Sequence, residues 1–394
     1  MPHLTIHPVI ADLEKQIIAY RRHFHQHPEL GFQEVETAKY ILDQVKDLDL
    51  DIRHPLVRTG IVATMSNGDG PCIALRADMD ALPIQETADP PYKSQNDGVM
   101  HACGHDGHLA ILLGTVLALD QLRDQWQGTV KFIFQPAEEG EGGARYMIAE
   151  GALNDPDATA IFGLHVWNYQ DFGTIGIRSG PVLAAADEFE IIVKGKGGHG
   201  AMPQGTVDAV YVAAQLVVAL QSIVSRNLDP LQSGVVSVGQ IQGGQNFNII
   251  ADEVALKGTA RAYREEDRQL IKSRLEGACD GIAVTYGAAI ELDYHDGYPP
   301  TLNDPVMTEV ALRAARKVAG DGVGEPYLSM GGEDMAYFLQ EVPGCFIFLG
   351  SAKPEHKAEK VPHHCSHFDF DERALAVGAS VFIEIVRDLL PAGS

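Results

Sequence analysis

The chain has 394 residues, 45% hydrophobic and 21% charged, enough for two or three domains and a large buried core. Its formal net charge of −24 leaves little room for the broad positive surface that grips nucleic acid or anionic lipid. The five cysteines (Cys72, Cys103, Cys279, Cys345 and Cys365) are odd in number and widely spaced, which predicts free thiols in a reducing compartment rather than a disulfide framework. Asp12, Glu14 and Lys15 interrupt any signal-type apolar core, and the longest apolar run, Ala209 to Leu220, is too short to span a bilayer. The expectation is a cytoplasmic protein without a membrane or nucleic-acid partner.

In chain order, helical spacing covers Ile10 to Gln26 and stops at His27-Pro28-Glu29-Leu30-Gly31; a second helix follows from Glu34 to Val45. Ile61 to Met65 and Cys72 to Ala77 read as strands, Leu109 to Leu122 as an apolar helix, and Thr129 to Phe134 as a buried strand. A short helix, Ala144 to Glu150, and a strand, Thr159 to Leu164, complete an alternation that predicts an α/β layer with a mostly parallel sheet. Asp78, Glu138, Glu139 and His165 each fall just past a predicted strand end, the edge where such sheets bind ligands.

After Gly180-Pro181 the pattern changes. Strands at Asp187–Lys194, Val235–Ile241, Glu253–Tyr263 and Ala288–Tyr294, with helices at Thr206–Ser225 and Glu265–Ile282, give the order βαββαβ of a ferredoxin-like unit. Helix Pro305–Ala319, strand Phe346–Leu349 and helix Glu372–Leu390 then resume the α/β layer. The predicted organisation is a three-layer α/β main domain, residues 1–183 and 297–394, interrupted by an inserted ferredoxin-like unit, residues 184–296.

The chemistry concentrates in His101-Ala102-Cys103-Gly104-His105-Asp106-Gly107-His108. Cys103, His105, Glu139 and His165, backed by Asp78 or Asp80, form a thiolate, imidazole and carboxylate set suited to zinc, manganese, cobalt or nickel. The adjacent acids Glu138-Glu139 are unfavourable together unless a cation is near, and a turn at Pro136 lets both face one cleft, one as ligand and one as base. His363-His364-Cys365-Ser366-His367 is a second histidine cluster ahead of a helix. Gly195-Lys196-Gly197-Gly198-His199-Gly200 matches GxGxxG literally, but Leu216 to Ile223 lacks the acid a ribose requires, so the glycines read as a sharp turn exposing His199.

Taken together these residues resemble the dinuclear metallo-aminoacylase and carboxypeptidase family, in the branch of hippurate hydrolases and plant auxin-conjugate amidohydrolases. The resemblance runs through Arg21-Arg22, His27-Pro28-Glu29-Leu30-Gly31, Arg76-Ala77-Asp78-Met79-Asp80-Ala81-Leu82-Pro83, His101 to Asp106, Gln135-Pro136-Ala137-Glu138-Glu139, Gly163-Leu164-His165, Gly197 to Pro203 and Gly331-Gly332-Glu333-Asp334. It implies two divalent metal ions bridged by Cys103 and further held by His105, Glu139, His165 and His364. It also implies Glu138 as general base and Asp78 as a carboxylate that orients a ligand. In the inserted unit, which the resemblance makes a lid, it implies His199 as oxyanion stabiliser, reaching a partner subunit's site, and Asn248 and Arg261 as contacts to the substrate; Gly332, beyond the lid, joins them.

The activity implied is hydrolysis of N-acyl amino acids, a small-molecule substrate class, in a homodimer or higher homo-oligomer joined through the lid. Carboxypeptidase or dipeptidase activity is the nearest alternative. A cysteine hydrolase with Cys103 as nucleophile and a non-catalytic metal-dependent binding protein are the others. The chain departs from the family pattern at Gln204, where histidine is usual, and at Ala251 and Ser366, where proline is usual.

Overall fold

Strands without a polar face need cover on both sides, and that requirement builds the larger part of the fold. In a computed structural model describing residues 3–356 and 360–392, Cys72–Asp78, Gly128–Gln135 and Gly344–Ala352 are buried along their whole length. They belong to an eight-stranded sheet ordered Asp51–Leu56, Gly60–Asn67, Gly128–Gln135, Cys72–Asp78, Ala158–Asp171, Gly344–Ala352, Ile175–Gly176, Val323–Gly324. The four central strands run parallel, and antiparallel pairs lie to either side. Helices Pro8–Gln26, His105–Gln121 and Arg373–Leu389 share one core with Leu75, Phe162, Leu164 and Ile347. The short helices Gly143–Ala149 and Met335–Glu341 pack on the same sheet. Met335 Sδ comes within 3.4 Å of where a Gly163 side chain would begin, on the face opposite Phe162 and Leu164 by strand alternation. This is the three-layer, mostly parallel α/β architecture expected from the sequence.

These elements fall in a unit made of Met1–Gly180, Leu302–Tyr327 and Asp334–Ser394; the second unit is Pro181–Thr301 with Leu328–Glu333. In the second unit the strands stand in the order Gly234–Gly243, Glu253–Ala262, Ala185–Lys194, Ala289–Tyr298, all antiparallel. Alternate residues Phe189, Ile191 and Val193 meet Leu216 and Leu220 from one helix and Ile271 and Leu275 from another. The connectivity is ferredoxin-like. Helix Ala209–Ser222 continues through a π-helical turn, Ile223–Asn227, so it starts three residues after and ends two residues beyond the expected Thr206–Ser225. By length and composition Ala209–Asn227 is sufficient to cross a membrane, although Ala209, Val212, Leu216, Leu220 and Ile223 are packed in this unit's core.

Two sequence expectations need correction where they bear on the site. The helix expected at Leu109 begins at His105, because Gly104 adopts φ +98 and ends the loop one residue before it. His105 and His108 thus occupy the helix's first turn. The strand expected to end at Leu164 continues to Asp171, since Gly344–Ala352 pairs with it throughout. Its other neighbour stops earlier: Arg76 pairs with Gly163, and Cys72–Asp78 ends two residues on. His165 is therefore a strand residue that still reaches the sheet's open edge, level with Asp78.

Arg21 fastens the metal-rich segment to the rest of this unit. It is fully buried, with Nε 2.9 Å from Asp106, Nη2 2.9 Å from Asp369 and Nη1 3.2 Å from Glu372. His25 adds a 2.7 Å contact to Asp106. Burial alone would raise the Asp106 carboxyl, but Arg21 and His25 hold it well below the usual carboxylate range. Arg21→Ala strands Asp106 in the interior, and urea unfolding should show a loss of about 3–5 kcal/mol; a loss under about 1 kcal/mol would contradict this account of the ion cluster.

Candidate metal centre

The edge of the parallel sheet gathers donors from four separated segments of the first unit. Cys103 and His105 come from the loop and first helical turn, Glu138 and Glu139 from the turn after Gly128–Gln135, His165 from its strand, and His364 from the late loop. Cys103, Glu139 and His364 offer donor atoms all within 4.8 Å of one another; so do His105, Glu138 and Glu139, and so do Cys103, His165 and His363. Cys103 and Glu139 each belong to two of these groups.

Hydrogen bonds sort the histidines. His165 Nδ1 lies 2.7 Å from its neighbour's carbonyl at Val166, which makes it the donor and leaves Nε2 as a lone pair 3.5 Å from Cys103 Sγ. His105 Nδ1 likewise donates to the Asp80 carbonyl at 2.9 Å, and its Nε2 is buried without a hydrogen-bond partner. His108 uses both nitrogens: Nδ1 faces Asp78 at 2.6 Å and Nε2 accepts the Val166 amide at 2.9 Å. His363 is also occupied, with Nε2 accepting the Asn168 amide at 3.2 Å and Nδ1 3.1 Å from the Cys103 carbonyl. His364 Nε2 stands 3.2 Å from Glu139 Oε1, and that oxygen makes no hydrogen bond.

The acids are placed by backbone. Asp80 accepts the amide of Glu138 with one oxygen at 3.0 Å and that of Glu139 with the other at 2.9 Å. Glu34 accepts the preceding amide, Ala137, at 2.9 Å, and its second oxygen takes the Thr59 hydroxyl at 2.6 Å. Ala137 sits at φ +55, so the chain reverses locally and the two glutamates share a donor group with His105 rather than facing apart. Gly143 is obligatory beneath this turn, because a Cβ there would lie 1.7 Å from the Pro136 carbonyl oxygen. Asp78 bonds to His108 and, at 2.8 Å, to Arg76, which also holds Asp334 at 2.8 Å. Glu34 reads in the sequence only as a helix start, and Asp80 stands out only as one of two acids behind the candidate ligands.

Charge completes the picture. Burial pushes the Cys103 thiol well up, and the carboxylates of Glu139, Glu138 and Asp78 push it further. Burial lowers His105, but Asp78, Asp80 and Glu139 lift it to about 10. Burial and the neighbouring His108 and His363 keep His165 well below its ordinary value, hence neutral. Buried carboxylates, a thiol, and a ring nitrogen and a carboxylate oxygen that lack hydrogen-bond partners converge here. This donor set fits divalent cations of the nitrogen- and sulfur-tolerant kind.

Residues 74–388 match the model of peptidase family M20/M25/M40. The chain belongs to this family. It is 42% identical over 372 residues to an N-acetylcysteine deacetylase of Bacillus subtilis, covering 94% of this chain and 96% of that one. It is 38% identical over 374 residues to the IAA-amino acid hydrolase ILR1-like 4 of Arabidopsis thaliana, covering 93% and 83%. The crystal structure of a dinuclear metal-binding M20 peptidase from Bacillus subtilis superposes with a TM-score of 0.84 at 37% identity, covering 96% of this chain and 99% of that one. As an M20 member, the chain is a metal-dependent amidohydrolase.

The remaining sequence-predicted residues lie in the second unit and form two separate groups. His199 is exposed, accepts the Ala201 amide on Nδ1 at 3.1 Å, and pairs with Ile249 beside Asn248, whose carbonyl takes the Gly200 amide at 2.8 Å. Arg261 is half-buried, donates to Thr259 Oγ1 at 3.0 Å, and has Nη1 3.7 Å from where a Gly332 side chain would begin.

Glu34 supplies a pH test of the turn. Burial pushes its carboxyl up to about 7 from 4.5, with the Asp80 charge adding and the Thr59 hydrogen bond opposing. Between those values the folded chain keeps a proton that the unfolded chain has released, so this group's contribution to stability falls as pH rises through the window. Glu34→Gln removes the titration, and its stability should gain on the parent's between about pH 5 and pH 8. Urea unfolding across that range checks it; parallel curves for the two proteins would contradict the assignment.

Proposed function

We propose that this M20 amidohydrolase cleaves the amide bond of N-acyl amino acids, giving a carboxylate and a free amino acid. The observation that carries the reading is the paired use of Cys103 and Glu139 across neighbouring donor groups, the arrangement two cations sharing a thiolate require. Cys103, His105, Glu139, His165 and His364 would hold two divalent ions, drawn from zinc, manganese, cobalt or nickel. So held, they would supply polarisation of the scissile carbonyl and acidification of water, as dinuclear hydrolase sites do.

Glu138 then has the base's part. Its amide is pinned by Asp80, its carboxylate lies 4.0 Å from His105 Nε2, and its side chain is nearly buried. It takes a proton from the attacking water, the oxygen bonds to the acyl carbon, and the C–N bond breaks as Glu138 passes that proton to the departing nitrogen. Cys103 shares one donor group with Glu139 and His364 and another with His165 and His363, which supports a ligand's part for it over a nucleophile's.

In the second unit, Arg261 presents a guanidinium suited to a substrate carboxylate, beside Gly332, where a Cβ would crowd Ala186 at 2.7 Å. His199 and Asn248 adjoin the Lys194–Glu253 end of a sheet whose other end carries Arg261, opposite Ala186. Glu253 and Arg261 lie eight residues apart on one strand, about 27 Å, too far for the two groups to grip one small substrate in the same chain. That separation supports His199 serving the oxyanion, and Asn248 the substrate, in a partner subunit's site, and hence a homodimer or higher homo-oligomer formed through this unit. The absence of a disulfide among five free cysteines accords with a cytoplasmic setting.

The test is turnover of N-acetyl and N-benzoyl amino acids against dipeptides by the metal-loaded enzyme. Acyl amino acids should be preferred, exhaustive chelation should abolish activity, and Glu138→Gln should lower kcat by at least about 100-fold with both metals retained. Preference for dipeptides would make it a dipeptidase, and full activity after chelation or in Glu138→Gln would overturn the mechanism.

A further inference from the structure

The turn that carries Glu138 is held in a conformation its own residues do not favour. Ala137 is a non-glycine residue at φ +55, in the left-handed region where a Cβ crowds the following carbonyl. Its amide is not bonded within the turn but to Glu34 Oε1 at 2.9 Å, from a segment about a hundred positions earlier in the chain. Glu34 is itself fully buried and anchored by Thr59 through the 2.6 Å hydroxyl contact. Gly31, in the same segment, presses on Ala137 so closely that a Cβ there would sit 3.1 Å from the Ala137 Cβ. On the far side the Ala137 carbonyl accepts the Gly143 amide at 2.9 Å. Glu34 reaches the two glutamates through the backbone of Ala137, the residue just before Glu138.

We propose that Glu34 is a positioning residue for the reaction: by holding the Ala137 amide it keeps this residue left-handed and so sets the Glu138 carboxylate at the reacting groups. The inference rests on Glu138 being the base. Losing Glu34 lets Ala137 relax toward the ordinary right-handed or extended region, which swings Glu138 away and loosens Glu139 with it. Misplacement of a catalytic group by about 1 Å is enough for a loss on the order of 100-fold in rate. Substrate affinity, set elsewhere, is left nearly intact.

Glycine supplies a readout that a merely structural role would not move, because it adopts φ > 0 without a Cβ penalty. In the metal-loaded enzyme Glu34→Ala should lower kcat about 10- to 100-fold with KM within about threefold. Hydrogen exchange at the Ala137 and Glu138 amides should quicken in the same variant. Adding Ala137→Gly to Glu34→Ala should return at least about a third of the lost kcat on a logarithmic scale. Glu34→Gln, which keeps an acceptor for the Ala137 amide, should stay within about threefold of the parent. Should Glu34→Ala fail to fold, Thr59→Val, which frees the other carboxylate oxygen, should lower kcat about 3- to 10-fold.

A Glu34→Ala enzyme with kcat within threefold of the parent overturns the proposal, as does a loss that Ala137→Gly leaves untouched or an unchanged kcat in Thr59→Val. Glu138→Gln is run alongside. If it is inactive while Glu34→Ala is not, only the role of Glu34 falls; if it stays active, the reading of Glu138 as base falls instead.

Discussion

Two buried carboxylates accept three consecutive amide protons, and the candidate site depends on that constraint. Glu34 takes Ala137, and Asp80 takes Glu138 and Glu139. Amides in the interior must find acceptors, and a carboxylate is the strongest available. Because those acceptors come from elsewhere in the chain, the turn is fixed from outside, and two adjacent glutamates share one cluster with His105. The Asp80 carbonyl also fixes the His105 ring. One residue thus orients both the acid pair and an imidazole.

The same economy governs the histidines. Five imidazoles crowd the sheet edge, yet a nitrogen that already accepts an amide proton has no lone pair left for a cation. His108 and His363 each spend one nitrogen on a backbone amide, from Val166 and Asn168. His105 and His165 each donate through Nδ1 to a carbonyl, which leaves Nε2 unengaged by the backbone. Around them, thiol and carboxylates repel one another and push the Cys103 proton affinity up. A cluster of this composition is stabilised by positive charge at its centre, in line with the chain's place among metal-dependent M20 enzymes.

Much of the fold was legible because the patterns are strong. Strand runs such as Val130-Lys131-Phe132-Ile133-Phe134 and the βαββαβ order of the inserted segment follow from periodicity and length, and both appear in the structure. What escaped was set by partners far away in sequence. Nothing in Thr159–Leu164 says that the strand runs on to Asp171; that follows from pairing with Gly344–Ala352. The early start of the helix at His105 depends on the left-handed Gly104. In the site, the density of His, Cys and adjacent acids pointed to segments whose donor atoms the structure brings together. The division between available and occupied ring nitrogens, and the part played by Glu34, required the contacts themselves.

The central claim is that one thiolate, Cys103, is shared by two cations whose other ligands are the histidines with a free ring nitrogen. Anomalous scattering from crystals of the metal-loaded protein tests it most directly. The account predicts two peaks about 3.5–4 Å apart on either side of Cys103 Sγ, with the ring nitrogens of His105, His165 and His364 in contact and those of His108 and His363 not. A single peak remote from Cys103, or coordination through His108 Nε2 or His363 Nε2, would contradict it.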